Sequence, residues 1–141
     1  PQVATNLDFD GQFHYCRLVY SSALNGRGGG WTTDYPNADI NMSIRLSELT
    51  RIDVSKDGTG QPNHLLVRID GDELFQCPLV IMSAPERAVA DDDGRIMVLM
   101  TNNTEIQNSW EREGDDASYF YAFSPRGYAF GINAFLYALT H

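Results

Sequence analysis

Apolar and polar positions along the chain first predict a strand and then a helix. The run FHYCRLVY, residues 13–20, is rich in aromatic and β-branched side chains and predicts the first strand. After a glycine-rich segment comes NADINMSIRLSELTRI, residues 37–52, in which Met42, Leu46 and Leu49 recur at helical spacing. The pattern therefore predicts an amphipathic helix directly after the first strand.

Three later apolar runs predict further strands. They are HLLVRI at 64–69, PLVIMS at 78–83 and RIMVLMT at 95–101. Turn residues fill 53–63, and 71–76 predicts a short turn or helical piece. Because the second and third runs are apolar throughout, they are typical of strands covered on both faces, as in a mostly parallel sheet between helices.

The last segment, SPRGYAFGINAFLYALTH at 124–141, predicts a closing helix. Ser124 can cap it, and Pro125 is tolerated at the first helical position. Gly127 and Gly131 lower helix propensity, so we expect them to let the helix approach its neighbour closely. The residues of its apolar face are Tyr128, Ile132, Phe135, Leu136 and Leu139.

The connection APERAVADDDG, residues 84–94, is unusually short. Two parallel strands need a crossover of about 10–12 residues or more, usually a helix, and this stretch has no helical stripe. Either the strands at 78–83 and 95–101 are joined unusually, or a segment is missing between them.

Composition narrows the function classes. The 141 residues suit one domain spanning 1–141, with 43% apolar and 21% charged residues. The formal net charge of −9 disfavours nucleic-acid binding and docking on anionic membrane surfaces, because both need a basic face. No apolar run is long enough for insertion into a bilayer, so we expect a soluble domain. The chain starts at Pro1, which leaves a processed, secreted origin open.

The two cysteines, Cys16 and Cys77, lie outside any C-x-x-C pair. Both precede or lie in apolar runs, which predicts two buried thiols, with a disulfide or a reactive thiol as alternatives. Neither lies on a strand-to-helix turn, and no histidine is obviously near a nucleophile. We therefore expect no catalytic residues, no cofactor and no metal site.

Two loops form the candidate binding site. The segment GRGGGWTTDYPNAD, 26–39, follows the first strand, and TNNTEIQNSW, 101–110, follows the strand at 95–101. If these strands are parallel, both loops meet at the carboxyl edge of the sheet, where α/β folds bind ligands. Tryptophans with nearby amides and carboxylates suit a sugar ring or a peptide fragment. The predicted ligand-binding residues are Trp31, Thr33, Asp34, Tyr35, Ser83, Asn102, Asn103, Glu105 and Trp110, with Glu111 beside them.

A purely structural interpretation of the same residues stands beside this one. Trp31 and Trp110 would then plug the end of the sheet. Asp34 and Asp39 would cap the helix, since the helix dipole favours acidic groups in the first turn.

Several segments resemble one protein family. These are FHYCRLVY, GGWTTDYPNADINMSIRLSELTRIDV, DELFQCPLVIMS, GRIMVLMTNNTEIQNSWEREG and GYAFGINAFLYALTH. Over 13–141 they resemble the family called domain of unknown function 4159, whose members have a longer middle segment. The resemblance implies a flavodoxin-like three-layer α/β sandwich similar to class I glutamine amidotransferases, with a shortened middle and no established catalytic residue.

The same resemblance implies that the protein acts in the bacterial cell envelope, in the periplasm. We therefore expect a non-catalytic binding or assembly module that recognises a small polar ligand or a protein partner at the strand-end edge. The alternative is an amidotransferase-like hydrolase or amidase, with its active site at Ser83 or in the absent middle segment.

Overall fold

The structure is a computed structural model that describes residues 3–20, 30–82, 89–90, 96–98 and 106–140. The strands are β1 (Tyr15–Val19), β2 (His64–Arg68), β3 (Val80–Ile81), β4 (Val89–Ala90) and β5 (Ile96–Val98). The α-helices are α1 (Asn37–Leu49), α2 (Asn108–Glu111) and α3 (Ala117–Thr140). Short 3-10 helices cover Asn6–Asp8, Gly30–Thr32 and Asp72–Gln76.

Three parallel strands form the main sheet, in the order β2-β1-β3. Tyr15 is in register with His64, and Cys16 with both Leu65 and Val80. Strands and helices follow one another along the chain, which confirms the predicted α/β class with a parallel sheet.

The predicted place of the strand at 95–101 was wrong. Its described part, β5, pairs antiparallel with β4 in a separate two-stranded sheet, with Val89 opposite Val98. β4 itself lies inside the short connection at 84–94. The physical reason is that antiparallel neighbours need no helical crossover, so a short connection can join them.

The helices pack on one face of the main sheet. Tyr15 of β1 is fully buried there, and its ring lies 5.9 Å from that of Phe135 on α3. Phe13 meets the same ring edge-on at 5.1 Å. The buried members of this cluster are Phe13, Tyr15, Ala38, Met42, Leu46, Val54, Trp110, Tyr128 and Phe135.

The N-terminal segment and the Asp72–Gln76 helix contribute the apolar side chains packed at the other face. Because side chains alternate along a strand, Cys16 and Leu18 point there, with Val67 and Ala4 beside them. Cys16 and Cys77 form a disulfide across this cluster, with their Cα atoms 6.1 Å apart. The expectation of two buried thiols was therefore wrong, because a partner lay within reach of a buried strand position although it is 61 residues away in sequence.

Helix α1 begins at Asn37 as predicted and ends at Leu49, three residues before the predicted end. Thr50 turns to extended backbone, while its amide still donates to the carbonyl of Leu46. Met42 and Leu46 are buried as expected. Leu49 is exposed, so the apolar stripe ends one turn early.

Helix α3 begins at Ala117, seven residues before the predicted cap at Ser124. The Asp116 side chain accepts hydrogen bonds from the amides of Ser118, at 2.7 Å, and Tyr119, at 3.0 Å, which makes it the working cap. Pro125 therefore lies inside the helix. It is exposed, so solvent can hydrate the carbonyl that its ring leaves without a donor. No helix in the described ranges is both long and apolar enough to cross a membrane.

Two glycines let α3 approach its neighbour closely, as predicted, and the structure shows that the neighbouring side chains include Trp110. A Cβ atom added at Gly131 would lie 2.6 Å from Cζ2 of Trp110 and 3.0 Å from Sδ of Met42. One added at Gly127 would lie 1.7 Å from Oγ of Ser109. Only glycine allows this approach.

We expect Gly131→Ala to destabilise the protein by about 1–3 kcal/mol, because overpacking against the buried indole outweighs the gain in helix propensity of about 1 kcal/mol. Urea unfolding measures the change. Gly114→Ala is the matched control, since an added Cβ there meets no atom of the described residues within 4 Å. If both variants had the same stability, the close packing of α3 on Trp110 would be wrong.

Candidate functional site

A buried ion pair lies beneath the loop that follows β1. Arg17, in the middle of β1, and Asp39, in the first turn of α1, are both fully buried. Nε of Arg17 donates to both carboxylate oxygens of Asp39 at 3.0 Å, and Nη2 donates to Oδ1. This multidentate geometry is the kind that arginine and carboxylates form best. The pair ties the start of α1 to the central strand.

The same guanidinium holds the loop. Its Nη1 donates to the carbonyl of Trp31 at 3.0 Å and to that of Thr33 at 2.9 Å. Each bond to a charged donor is stronger than a neutral one, and the donor side chain is fully buried. Arg17 therefore fixes the backbone of 31–33 over the sheet.

Three aromatic rings pack against one another at this fixed backbone segment. The ring of Tyr35 meets that of Trp31 edge-on at 5.5 Å and that of His64 at 5.2 Å. Nε2 of His64 and the hydroxyl of Tyr35 are hydrogen-bonded at 3.1 Å, and Arg17 lies 5.7 Å from the Tyr35 ring. We call Trp31, Thr33, Asp34, Tyr35 and His64 the loop surface. All five of its members are partly exposed.

Asp34 has an unusual backbone. Its φ is 59°, in the left-handed region, and the following Tyr35–Pro36 peptide is cis. Aspartate tolerates this region better than most residues. The carbonyl of Asp34 also accepts the amide of Ala38 at 2.9 Å, so this conformation is coupled to the start of α1.

Burial shifts the titration of several groups. It raises the pKa of Asp39, and the hydrogen bonds and charge of Arg17 oppose that rise. It lowers the pKa of His64, against the attraction of Asp39, so the imidazole is neutral at pH 7. Burial also raises the pKa of Tyr35, whose hydroxyl stays protonated. The loop surface therefore presents neutral aromatic rings beside the Asp34 carboxyl group.

The structure brings together four of the predicted site residues, namely Trp31, Thr33, Asp34 and Tyr35. Trp110 lies elsewhere, buried between α1 and α3, and its carbonyl accepts Nδ2 of Asn41 at 2.7 Å. Glu111 is partly exposed on α2. The remaining predicted residues lie outside the described ranges; these are Ser83, Asn102, Asn103 and Glu105. The predicted meeting of the two loops at one sheet edge assumed that the strand at 95–101 is parallel in the main sheet; that premise was wrong, because β5 pairs antiparallel with β4 in a separate sheet.

Two central residues of the site were not predicted from the sequence; these are Arg17 and His64. The signal for Arg17 was present, because a charge inside an apolar strand needs a buried partner. Asp39 was predicted to act on the helix dipole, and its pairing with Arg17 gives it a second role. His64 could not be assigned, since its link to Tyr35 depends on the register of β2 against β1.

A cavity of about 220 Å³ opens beside His64. It is lined by Val3, Ala4, Asp8, His64, Leu65 and Leu66. His64 thus belongs to the loop surface and also lines this cavity, which lies between the N-terminal segment and the start of β2. Its Nδ1 atom is buried and has no hydrogen-bond partner among the residues that the structure describes.

Neither cysteine can act as a nucleophile in this structure, because both are used in the disulfide.

No family model, no curated protein and no solved structure matches the chain. The resemblance to domain of unknown function 4159 therefore stays a prediction.

Proposed function

We propose that the protein is a non-catalytic binding or assembly module of the bacterial cell envelope. Its loop surface recognises a small polar ligand or a partner protein. The same proposal includes a flavodoxin-like fold and membership of the family called domain of unknown function 4159. His64 is the first residue of β2, so the loop surface lies over the face of the sheet near the amino end of that strand, and the proposal does not depend on the carboxyl edge where α/β folds ordinarily bind ligands.

One observation carries the proposal: Arg17 holds the backbone of the loop at Trp31 and Thr33. A loop fixed before binding loses little conformational entropy when a ligand arrives. Partly exposed aromatic rings with a carboxyl group and a tyrosine hydroxyl nearby suit a flat polar ring, such as that of a sugar, or a peptide bond.

The disulfide between Cys16 and Cys77 supports the envelope assignment. Disulfides persist in oxidising compartments and are rare in the cytosol. The bond is therefore compatible with an extracytoplasmic location.

The test uses a soluble disaccharide-tetrapeptide muropeptide as the probe. We expect amide NMR shifts at Trp31, Asp34, Tyr35 and His64 during the titration. Tyr35→Ala should weaken binding by about tenfold or more, a loss of about 1.4 kcal/mol, because it removes the ring that contacts both Trp31 and His64.

Phe75→Ala is the matched control. Phe75 is 85% exposed on the Asp72–Gln76 helix, outside the loop surface, so its removal should leave binding unchanged. Shifts confined to other residues, or equal weakening by both variants, would show that the loop surface is not the binding site for this ligand.

A further inference from the structure

We propose that His64 is a pH-sensitive positioning residue: its neutral imidazole holds the side chain of Tyr35 in the loop surface, and its imidazolium releases that side chain. His64 is the first residue of β2, and Tyr35 lies 29 positions earlier, in the segment before α1. This role concerns the order of the free protein, so it does not depend on which ligand the loop surface binds. It goes beyond the proposed function, because it makes the order of that surface depend on pH.

Two contacts join His64 to Tyr35. Nε2 of His64 and the Tyr35 hydroxyl are hydrogen-bonded at 3.1 Å, and the two rings meet edge-on at 5.2 Å. The Tyr35 ring in turn meets that of Trp31 at 5.5 Å. Arg17 holds the backbone of this segment, at the carbonyls of Trp31 and Thr33. His64 therefore adds a contact of a different kind, which holds a side chain of the loop surface.

The hydrogen bonds of His64 suit the neutral imidazole and not the imidazolium. A neutral ring has one donor and one acceptor nitrogen, and a tyrosine hydroxyl can pair with either of them at Nε2. Nδ1 is buried and has no hydrogen-bond partner among the described residues. Protonation makes both nitrogens donors, so the imidazolium would bury a charged N–H at Nδ1 without an acceptor. An unpaired buried group costs more free energy when it is charged.

The charged and titratable groups around His64 do not compensate for this cost. Arg17, on β1, is a cation and disfavours a second positive charge. Asp39, on α1, attracts the imidazolium, but both of its carboxylate oxygens already accept hydrogen bonds from Arg17. Tyr35 is neutral, because burial raises its pKa. Asp8, on the N-terminal segment, lines the same cavity as His64 but is exposed, so solvent screens its charge.

The pH dependence follows from these surroundings. Burial is the largest cause that lowers the pKa of His64 from its ordinary 6.5; the charge of Asp39 opposes the shift and that of Arg17 adds to it. The contribution of the neutral ring to stability is therefore present above pH 6.5 and is lost as the pH falls through the lowered pKa. Because His64 is only partly buried, its imidazolium can turn out to water without unfolding the protein. We therefore expect the Tyr35 side chain to lose its order at mildly acidic pH while the core stays folded.

An NMR titration of the whole chain from about pH 7.5 to about pH 4.5 tests this role. The chain has three histidines, so the imidazole signal assigned to His64 is followed separately. We expect the ring signals of Tyr35 and the indole N–H signal of Trp31 to change with the same midpoint as His64, below pH 6.5. Trp110 is the internal control, because its buried indole lies outside the loop surface and should not change over this range.

Two variants separate the charge from the contact. His64→Gln keeps an amide that can bond to the Tyr35 hydroxyl but takes up no proton in this range, so the pH-dependent change at Trp31 should disappear. Tyr35→Phe keeps the ring and removes the hydroxyl. Its Trp31 signal should therefore differ from that of the wild type already at neutral pH and should change little on acidification.

His14→Gln is the matched control for the loss of a histidine. Nε2 of His14 lies 3.7 Å from Oδ1 of Asp10, and neither residue belongs to the loop surface. The change at Trp31 should therefore keep its full size and its midpoint in this variant. Circular dichroism at neutral pH checks that each variant is folded.

Any of three results would refute this role for His64. One is a His64 signal that does not titrate above about pH 4.5, or that titrates while the Tyr35 and Trp31 signals stay constant. Another is a change at Trp31 that persists in folded His64→Gln. The third is a change at Trp110 with the same midpoint, which would show that acid unfolds the core. All these signals come from the free protein, so a failure to bind the muropeptide would count against the proposed function alone.

Discussion

Arg17→Met should destabilise the protein by about 3–5 kcal/mol, the largest effect that we expect from a single substitution. The change leaves the carboxylate of Asp39 buried without its cation. It also leaves the carbonyls of Trp31 and Thr33 without the donor that holds them. Both losses act in the folded state only, and urea unfolding followed by circular dichroism measures their sum.

Arg68→Met is the matched control for this prediction. Arg68 lies on the neighbouring strand β2 and pairs with Asp70, but both side chains of that pair are more than half exposed. We expect its removal to cost no more than about 0.5–1 kcal/mol. If the two methionine variants were equally stable, the central role of Arg17 would have to be abandoned.

A double replacement separates the ion pair from the packing around it. Arg17→Met together with Asp39→Leu removes both charges, so no unpaired charge is left in the interior. We expect this variant to be more stable than Arg17→Met alone, since replacing a whole buried pair costs less than breaking it. The loop surface should still lose order, which the NMR signals of 31–35 would report.

Loss of the Cys16–Cys77 disulfide should cost about 4 kcal/mol. The bond closes a loop of 61 residues, and removing the cross-link returns the corresponding chain entropy to the unfolded state. The variant Cys16→Ala/Cys77→Ala should therefore unfold at a clearly lower urea concentration than the oxidised wild type.

Reductant supplies the control for this second prediction. Dithiothreitol should lower the unfolding midpoint of the wild type toward that of the double alanine variant and leave the variant itself unchanged. A wild-type midpoint that is the same with and without reductant, while thiol counting shows both cysteines reduced, would contradict it.

Local patterns were enough to predict much of the main sheet and α1. Apolar runs located β1, β2 and β3, and helical spacing located α1, because these signals are contained in ten or fewer neighbouring residues. Gly127 and Gly131 predicted the close approach of α3 for the same reason. The start of α3 was missed because Pro125 resembles a first-turn proline, whereas the capping signal is carried by Asp116.

The remaining errors concern partners far apart in the chain. Whether β5 runs parallel or antiparallel to its neighbour depends on which strand it pairs with, and its own apolar sequence is the same in both cases. The disulfide joins residues 61 positions apart, and Arg17 meets Asp39 across 22. A local pattern can indicate that a residue needs a partner, as the charge of Arg17 inside an apolar strand does, but it does not identify that partner. The candidate loop could therefore be predicted, whereas the pairing of Arg17 with Asp39 and with the loop backbone could not.

The packing of α3 against β1 also has a consequence for synthesis on the ribosome. Phe13 and Tyr15 complete their core with Phe135, which is made 122 and 120 residues later. At a translation rate of about 5–20 residues per second, roughly 6–25 s pass between the synthesis of β1 and the synthesis of Phe135. During this interval, and in the proposed extracytoplasmic location until export is complete, the chain exposes an apolar strand, so its production should depend on chaperones that bind such segments.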